Sequence, residues 1–307
     1  MGYHFERNES VPEAVRRIAY EEADSAITYL RGKGGTSRDE AIHEARKNIK
    51  KLRALVRLVE PELGPSYSDA NAGLRAVGRK LSEVRDAGAL VTAFDDLRSH
   101  EQKKLKDRSL RKVRHGLELQ KAHIEQEMNV GEVMQNLADR MEAVRKSIKH
   151  WPLGTDGFPA IRDGFEITFR SGKKSLAIVR KQARPEDFHE WRKRVKDHWY
   201  HVRLLEKVWE DLLSGYETSL KRVETLLGEE HNLFLLRNTL ASKPEAFGED
   251  RTLKPVFSAI EHAEKERRDC ALSFGQRIYA QRARRMTREM NDFWQVWQAQ
   301  PGKCSDG

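Results

Sequence analysis

The chain has 307 residues, of which 34% are charged and 38% hydrophobic, with 20 glycines, 9 prolines and a mean hydropathy of −0.77. Its 57 basic residues outnumber 48 acidic ones, giving a net charge of +9 and a pI near 9.4. This composition argues against a membrane-spanning or disulfide-framed protein, favours long solvated helices over strands, and calls for an acidic partner such as nucleic acid, a membrane surface or another polyanion.

The first residues, Met1-Gly2-Tyr3-His4-Phe5-Glu6, hold no apolar signal core, and Glu6 stands where a myristoylation motif requires Ser or Thr. A helix is expected from Ser10-Val11-Pro12-Glu13, where a Ser cap precedes a first-turn Pro and a Glu, to about Leu30. After the turn Gly32 to Ser37, a second helix runs from about Ser37 to Glu60 and stops at Pro61. Two or three amphipathic segments fill Tyr67 to His150, among them Leu74 to Asp86 and a highly charged stretch from His100 to Glu127. The longest uncharged apolar run, about Ala87 to Phe94, is too short to span a bilayer. Trp151 to Pro159, rich in Gly and Pro, interrupts the helical pattern.

Helices are then expected near Ile161 to Lys181, from Glu186 to Leu213 after the break at Arg184-Pro185, and from Tyr216 to about Leu240. Beyond a loop at Lys243 to Asp250, one long last helix ends near Gln300. No period-two strand pattern appears, so the fold class is all-α. Cys270 and Cys304 lack metal-binding spacing and form no disulfide framework, which points to a soluble, cytoplasmic protein.

The second helix contains Ile42-His43-Glu44-Ala45-Arg46-Lys47-Asn48-Ile49-Lys50, and 146 positions further on stands Phe188-His189-Glu190-Trp191-Arg192-Lys193-Arg194-Val195-Lys196. The register holds ungapped through Val56/Val202, Leu58/Leu204, Leu74/Leu220, Leu81/Leu227 and Leu90/Leu236. Such a repeat sets the architecture before any local feature does. It implies two similar halves, residues 1–151 and 159–307, each with a core of its own.

At about 100° per residue, Ile42, Ala45, Ile49, Leu52, Val56 and Val59 form one apolar stripe, the seam a bundle helix buries. His43, Arg46, Lys47, Lys50, Arg53 and Arg57 fall on a second stripe beside it, and His189, Arg192, Lys193, Lys196 and Arg203 repeat the arrangement. Like charges three and four apart repel by a few tenths of a kcal/mol, roughly, so a stripe without interleaved acids needs an anion. One or two cations per helical turn along a line suit a linear polyanion, to which Arg offers forked contacts and Lys mobile point charges.

These two motifs resemble the signature helices of the CHAD family, the conserved-histidine α-helical domain. Arg170-Ser171-Gly172-Lys173-Lys174-Ser175-Leu176 resembles the family's basic segment before the second motif, and Leu227-Gly228-Glu229-Glu230-His231-Asn232 its helix after it. The resemblance covers nearly the whole chain and implies two pseudo-symmetric four-helix bundles forming one CHAD domain. It also implies a central basic surface and binding of inorganic polyphosphate, with recruitment to polyphosphate granules. Carried over by residue, the implied site is His43, Arg46, Lys47, Lys50, Arg53 and Arg57, with Arg170, Lys173 and Lys174, and His189, Arg192, Lys193, Lys196 and Arg203. Asp197, His198 and Trp199 replace Lys51, Leu52 and Arg53 of the first copy, so the second half is the less basic contributor.

Other chemistries find less support. His198 and His201 sit one turn apart, but no carboxylate or Cys completes a metal site, and Glu44 and Glu190 are expected to face solvent. A triphosphate tunnel enzyme, often fused to this family, needs a Glu-x-Glu-x-Lys strand. Glu60-Pro61-Glu62 and Glu264-Lys265-Glu266 occur instead at a helix end and inside a helix. No carboxylate cluster, Gly-rich phosphate loop, catalytic residue or cofactor is expected, so the protein is read as a non-enzyme. The rival reading is a nucleic-acid binder acting through backbone phosphates, although only Trp199 and Tyr200 come near the basic face.

Overall fold

The structure, a computed structural model, describes residues 2–101, 105 and 110–300, with residues 86 and 87 described by backbone alone. All regular structure among these residues is helical. In order come α1 (Val11–Leu30), α2 (Arg38–Leu58), α3 (Glu60–Leu63), α4 (Ser66–His100), α5 (Leu110–Glu127) and α6 (Val130–Ser147). They are followed by α7 (Pro159–Gln182), α8 (Pro185–Leu204), α9 (Glu210–Ser242), α10 (Pro244–Phe247), α11 (Asp250–Ile278) and α12 (Ala283–Ala299). None of the helices is long and apolar enough to cross a membrane, among the described residues.

The first two long helices start where their caps place them. The Glu13 amide donates to Ser10 Oγ while the Ser10 amide donates to the Glu13 carboxylate, satisfying two amides that the helix itself leaves unpaired. Ser37 caps α2 through the Glu40 amide.

Four stretches differ from the sequence-based expectation, one of them the loop expected at Lys243 to Asp250, which contains the short helix α10. The segment read as Leu74 to Asp86 is the middle of a single 35-residue helix, α4. The helix expected to reach Leu213 ends at Leu204, where the Leu204 carbonyl accepts from the Phe5 amide at 2.9 Å and a 3-10 turn, Glu206–Val208, follows. The single last helix is two, α11 and α12. Tyr279 is buried at the break, and Lys173 Nζ donates to the carbonyls of Ala280 and Gln281 at 3.3 and 2.7 Å. An ammonium thus satisfies two carbonyls of the link that follows the helix end. Much of the front of the charged stretch, 102–104 and 106–109, lies outside the described residues, as does Cys304.

Helices α1, α2, α4 and α6 pack on one another, α8 and α9 lie between α7 and α11, and α12 is laid on α7. The two groups meet where α2 touches α7 and α8 and where α4 touches α9. The expected separate cores do not appear. One core runs from α1, α2 and α6 through to α7, α8 and α12, and a second joins Phe94 and Leu97 of α4 and Val113 of α5 to Leu236 of α9 and Ile260 of α11. Because α2 packs on α7 and α8 as well as on α1 and α4, this one helix serves both groups.

That junction is tight. A Cβ at Gly164 of α7 would overlap the Leu58 carbonyl at the end of α2. His201 of α8 donates through Nε2 to the Ala54 carbonyl of α2 at 2.8 Å, and Arg57 meets Asp197 at 2.6 Å. His198 is buried among Phe165, Phe169, Tyr216 and Tyr279. Burial pushes His198 to about 3 and His201 to about 4, so both stay neutral at physiological pH. The two histidines one turn apart therefore serve packing and helix registration.

Candidate functional site

Helix α2 buries Ile42, Ala45, Ile49, Leu52 and Val56, and α8 buries Phe188, Trp191, Val195 and Val202. Burying these stripes against their neighbours turns the adjacent cations of both helices toward one junction. Lys50 of α2 lies close enough to Lys196 and Arg192 of α8 for their charges to act on it. Burial first, then Lys196, Arg46 and Arg192, hold its ammonium well below the ordinary lysine range. Among the described residues Lys50 has no ion-pair partner. Burial and neighbouring Arg192 lower Lys196 to about 8.

Beneath these cations stands a single carboxylate from α9. Glu224 is 5% exposed and meets Lys196 at 2.5 Å, Lys221 at 2.9 Å and Arg192 at 3.4 Å. Burial alone would raise its pKa, but Lys196, Arg192 and Lys221 outweigh burial and leave it below the usual carboxylate range. Further along α2, burial and then Arg57 lower Arg53 to about 10, with Arg75 of α4 adding to the effect. Arg46 donates to the Leu81 carbonyl of α4 at 2.9 Å, which anchors the α2 side of the groove.

Histidines stand along the groove. Burial is the first cause of the lowered pKa of both His43 and His189, with Lys50 acting against charge on the former and Lys193 and Arg192 on the latter. The His189 ring lies 4.2 Å from that of His231 on α9, and burial followed by His189 pushes His231 to about 3.

Not all of the expected cations are available to a ligand. Glu44 does not simply face solvent but pairs with Lys47 at 2.9 Å, and Glu190 holds both Lys193 and Arg194. Acids are therefore interleaved after all, at i and i+3, and Lys47 and Lys193 are partly neutralised. Arg203 packs over Trp199 and Tyr3, at 5.4 and 5.8 Å from their ring centres, and reaches Glu217 at 3.9 Å. On α7, Arg170 pairs with Glu166, Lys173 caps the carbonyls after α11, and Lys174 is exposed. No hydrogen bond or ion pair among the described residues joins these three to the cations of α2 and α8.

Four α9 positions belong with the groove but were not read from the sequence as site residues: Lys221, Glu224, Gly228 and His231. A Cβ at Gly228 would stand 3.0 Å from the Arg192 guanidinium, so glycine leaves room for it. These residues follow helical spacing along one face of α9, a signal the sequence did contain. Only the α8–α9 packing shows what that face meets.

The family model for the CHAD domain matches residues 13–241. The chain belongs to the CHAD domain family. The match ends within α9, so α11 and α12 lie beyond it. Among solved structures this CHAD chain is similar to the crystal structure of the CHAD domain from the plant Ricinus communis, at 15% identity and a TM-score of 0.46. The similarity covers 97% of this chain and 95% of that one. No curated protein matches the chain.

Proposed function

We propose that this CHAD domain binds inorganic polyphosphate in the groove between α2 and α8, does not turn it over, and is carried by that binding to polyphosphate granules in the cytoplasm. The observation that carries the reading is the convergence of Lys50 with Arg192 and Lys196 at the helix junction, two half-buried lysines with depressed pKa values served by one carboxylate. Positive charge concentrated at such cost to the ammonium groups is relieved by a polyanion.

A nucleic-acid reading that includes base stacking needs aromatic faces on the groove. The ring of Trp199 is instead covered by Arg203 at 5.4 Å and Lys221 at 4.5 Å, and Tyr200 is buried. Among the described residues no group of three or more His, Cys, Asp or Glu side chains could hold a metal ion.

The test is a competition at one ionic strength among long-chain polyphosphate, single-stranded RNA and duplex DNA, with phosphate release followed in Mg²⁺. Polyphosphate is expected to displace both nucleic acids, to lose affinity steeply with salt, and to remain intact. Equal affinity for RNA or DNA, or indifference to salt, would overturn the reading.

Binding also carries a pH signature. A bound polyanion stabilises the protonated forms of His43, His189 and Lys196, so each pKa rises in the complex. The contribution of Lys196 is full below its free value of about 8 and declines as pH climbs past it. That of the histidines is full only below their free values, which lie under 6.5, and declines as pH rises through them. Affinity measured from pH 5 to pH 9 at constant salt is therefore expected to fall in two stages, with proton uptake on binding near neutrality. An affinity that rises with pH contradicts this assignment.

A further inference from the structure

A cleft of about 740 Å³ opens between α4 and α6, outside the repeated motifs. Tyr67, Asn71, Arg75 and Arg79 line it from α4, each four residues after the last, so they form one row along the helix. Asn136 and Arg140 face them from α6. Arg75, Arg79 and Arg140 are exposed, and none has an ion pair among the described residues. The carboxylate on the rim, Glu83, is already taken by Lys80 at 2.8 Å. Three unpaired guanidiniums with amide and phenol groups around them suit an anion rich in oxygen acceptors.

The cleft is also placed to receive what leaves the groove. Arg75 lies within electrostatic reach of Arg53, and Tyr67 within reach of both Arg53 and Arg57, so cations continue from α2 across the face of α4. The row is not repeated 146 positions on: Leu213, Glu217 and Thr225 replace Tyr67, Asn71 and Arg79, and only Lys221 keeps the charge of Arg75.

We infer that the α4–α6 cleft is a second phosphate subsite that extends the groove on one side only, so that it engages long polyphosphate chains and not short ones; this rests on the groove reading above. A chain already held at Lys50 and Lys196 reaches the cleft intramolecularly, and each added contact multiplies affinity without a second encounter. Short oligophosphates fill the groove and end there.

The experiment compares long-chain polyphosphate with tripolyphosphate on the full chain. It uses the wild type, the cleft variant Arg75→Ala/Arg79→Ala/Arg140→Ala, and the groove variant Lys50→Gln/Lys196→Gln. The cleft variant is expected to lose about tenfold in long-chain affinity, to shed roughly two or three counterions from the salt dependence, and to bind tripolyphosphate as the wild type does. The groove variant is expected to lose both probes. All three arginines are exposed, and surface substitutions of this kind usually leave the fold intact. Undiminished long-chain affinity in the cleft variant, or equal losses for both probes, overturns the cleft subsite while leaving the groove standing. A wild-type chain that binds neither probe overturns the groove and the subsite together.

Discussion

Reversing Arg46 and Lys50 to Glu, or Arg192 and Lys196 to Glu, is expected to weaken long-chain polyphosphate binding by about a hundredfold or more. Reversing three exposed, unpaired lysines elsewhere, Lys149, Lys181 and Lys265, is expected to cost less than about tenfold at physiological salt, because charges beyond a Debye length of ~8 Å are largely screened. The asymmetry follows from the junction. The charge of Lys196 acts on Lys50 across it, so on the proposed groove reading one polyanion would span both helices, and loss of either stripe would remove the intramolecular second contact. Helicity by circular dichroism separates lost contact from lost fold. The neutral pair Lys50→Gln/Lys196→Gln provides a milder arm, since a carboxylate at half-buried position 50 could disturb packing. Equal losses from the control and groove reversals, all folded, would mean that net charge alone governs binding.

Glu224→Gln is expected to have two effects of opposite kind. The variant should bind polyphosphate about tenfold more tightly, equivalent to ~1.4 kcal/mol, because the buried carboxylate competes with phosphate for Lys196, Arg192 and Lys221. It should also be less stable by roughly 1–3 kcal/mol. That is below the ~3–5 kcal/mol of a fully buried pair, because Lys221 and part of Arg192 reach solvent.

The stability loss has a pH window. Glu224 titrates below its unfolded value of 4.5, so its contribution is full above that value and disappears as pH falls through the lower folded pKa. Urea unfolding at pH 7 and at pH 3 measures the difference, which is expected to shrink at the lower pH. A folded variant with unchanged or weaker polyphosphate affinity would show that the ligand does not use the cations Glu224 holds.

Much of this architecture was legible in the chain because its causes are local. Ser10 and Ser37 cap helices through amides three residues on, and no more than four residues are needed to see it. The apolar stripe of α2 is a matter of spacing, and all of Ile42, Ala45, Ile49, Leu52 and Val56 are buried as that spacing predicts. The doubled His-x-x-Arg-Lys motif placed the chain in its family, and the family model bears this out. The α9 face of Lys221, Glu224, Gly228 and His231 was equally regular in spacing, but regularity does not say what a face meets.

The sequence by itself determined the helices, their apolar faces, the basic stripes beside them and the family, since each depends on residues a few positions apart. The tertiary structure decided how those stripes were used. The break between α11 and α12 has no Gly or Pro between Ile278 and Ala283 to announce it, and the carbonyls of Ala280 and Gln281 in that link are met by Lys173, more than a hundred residues earlier. Lys173 thereby becomes a capping residue, whereas sequence alone offered it as a phosphate ligand. Likewise Glu224 sits far along the chain from Lys196 and Arg192, and only the packing of α8 on α9 brings their charges together. Helical period fixes the direction in which a side chain points, but partners distant in sequence, and the desolvation that sets their pKa values, arise only when the helices bury their seams against one another.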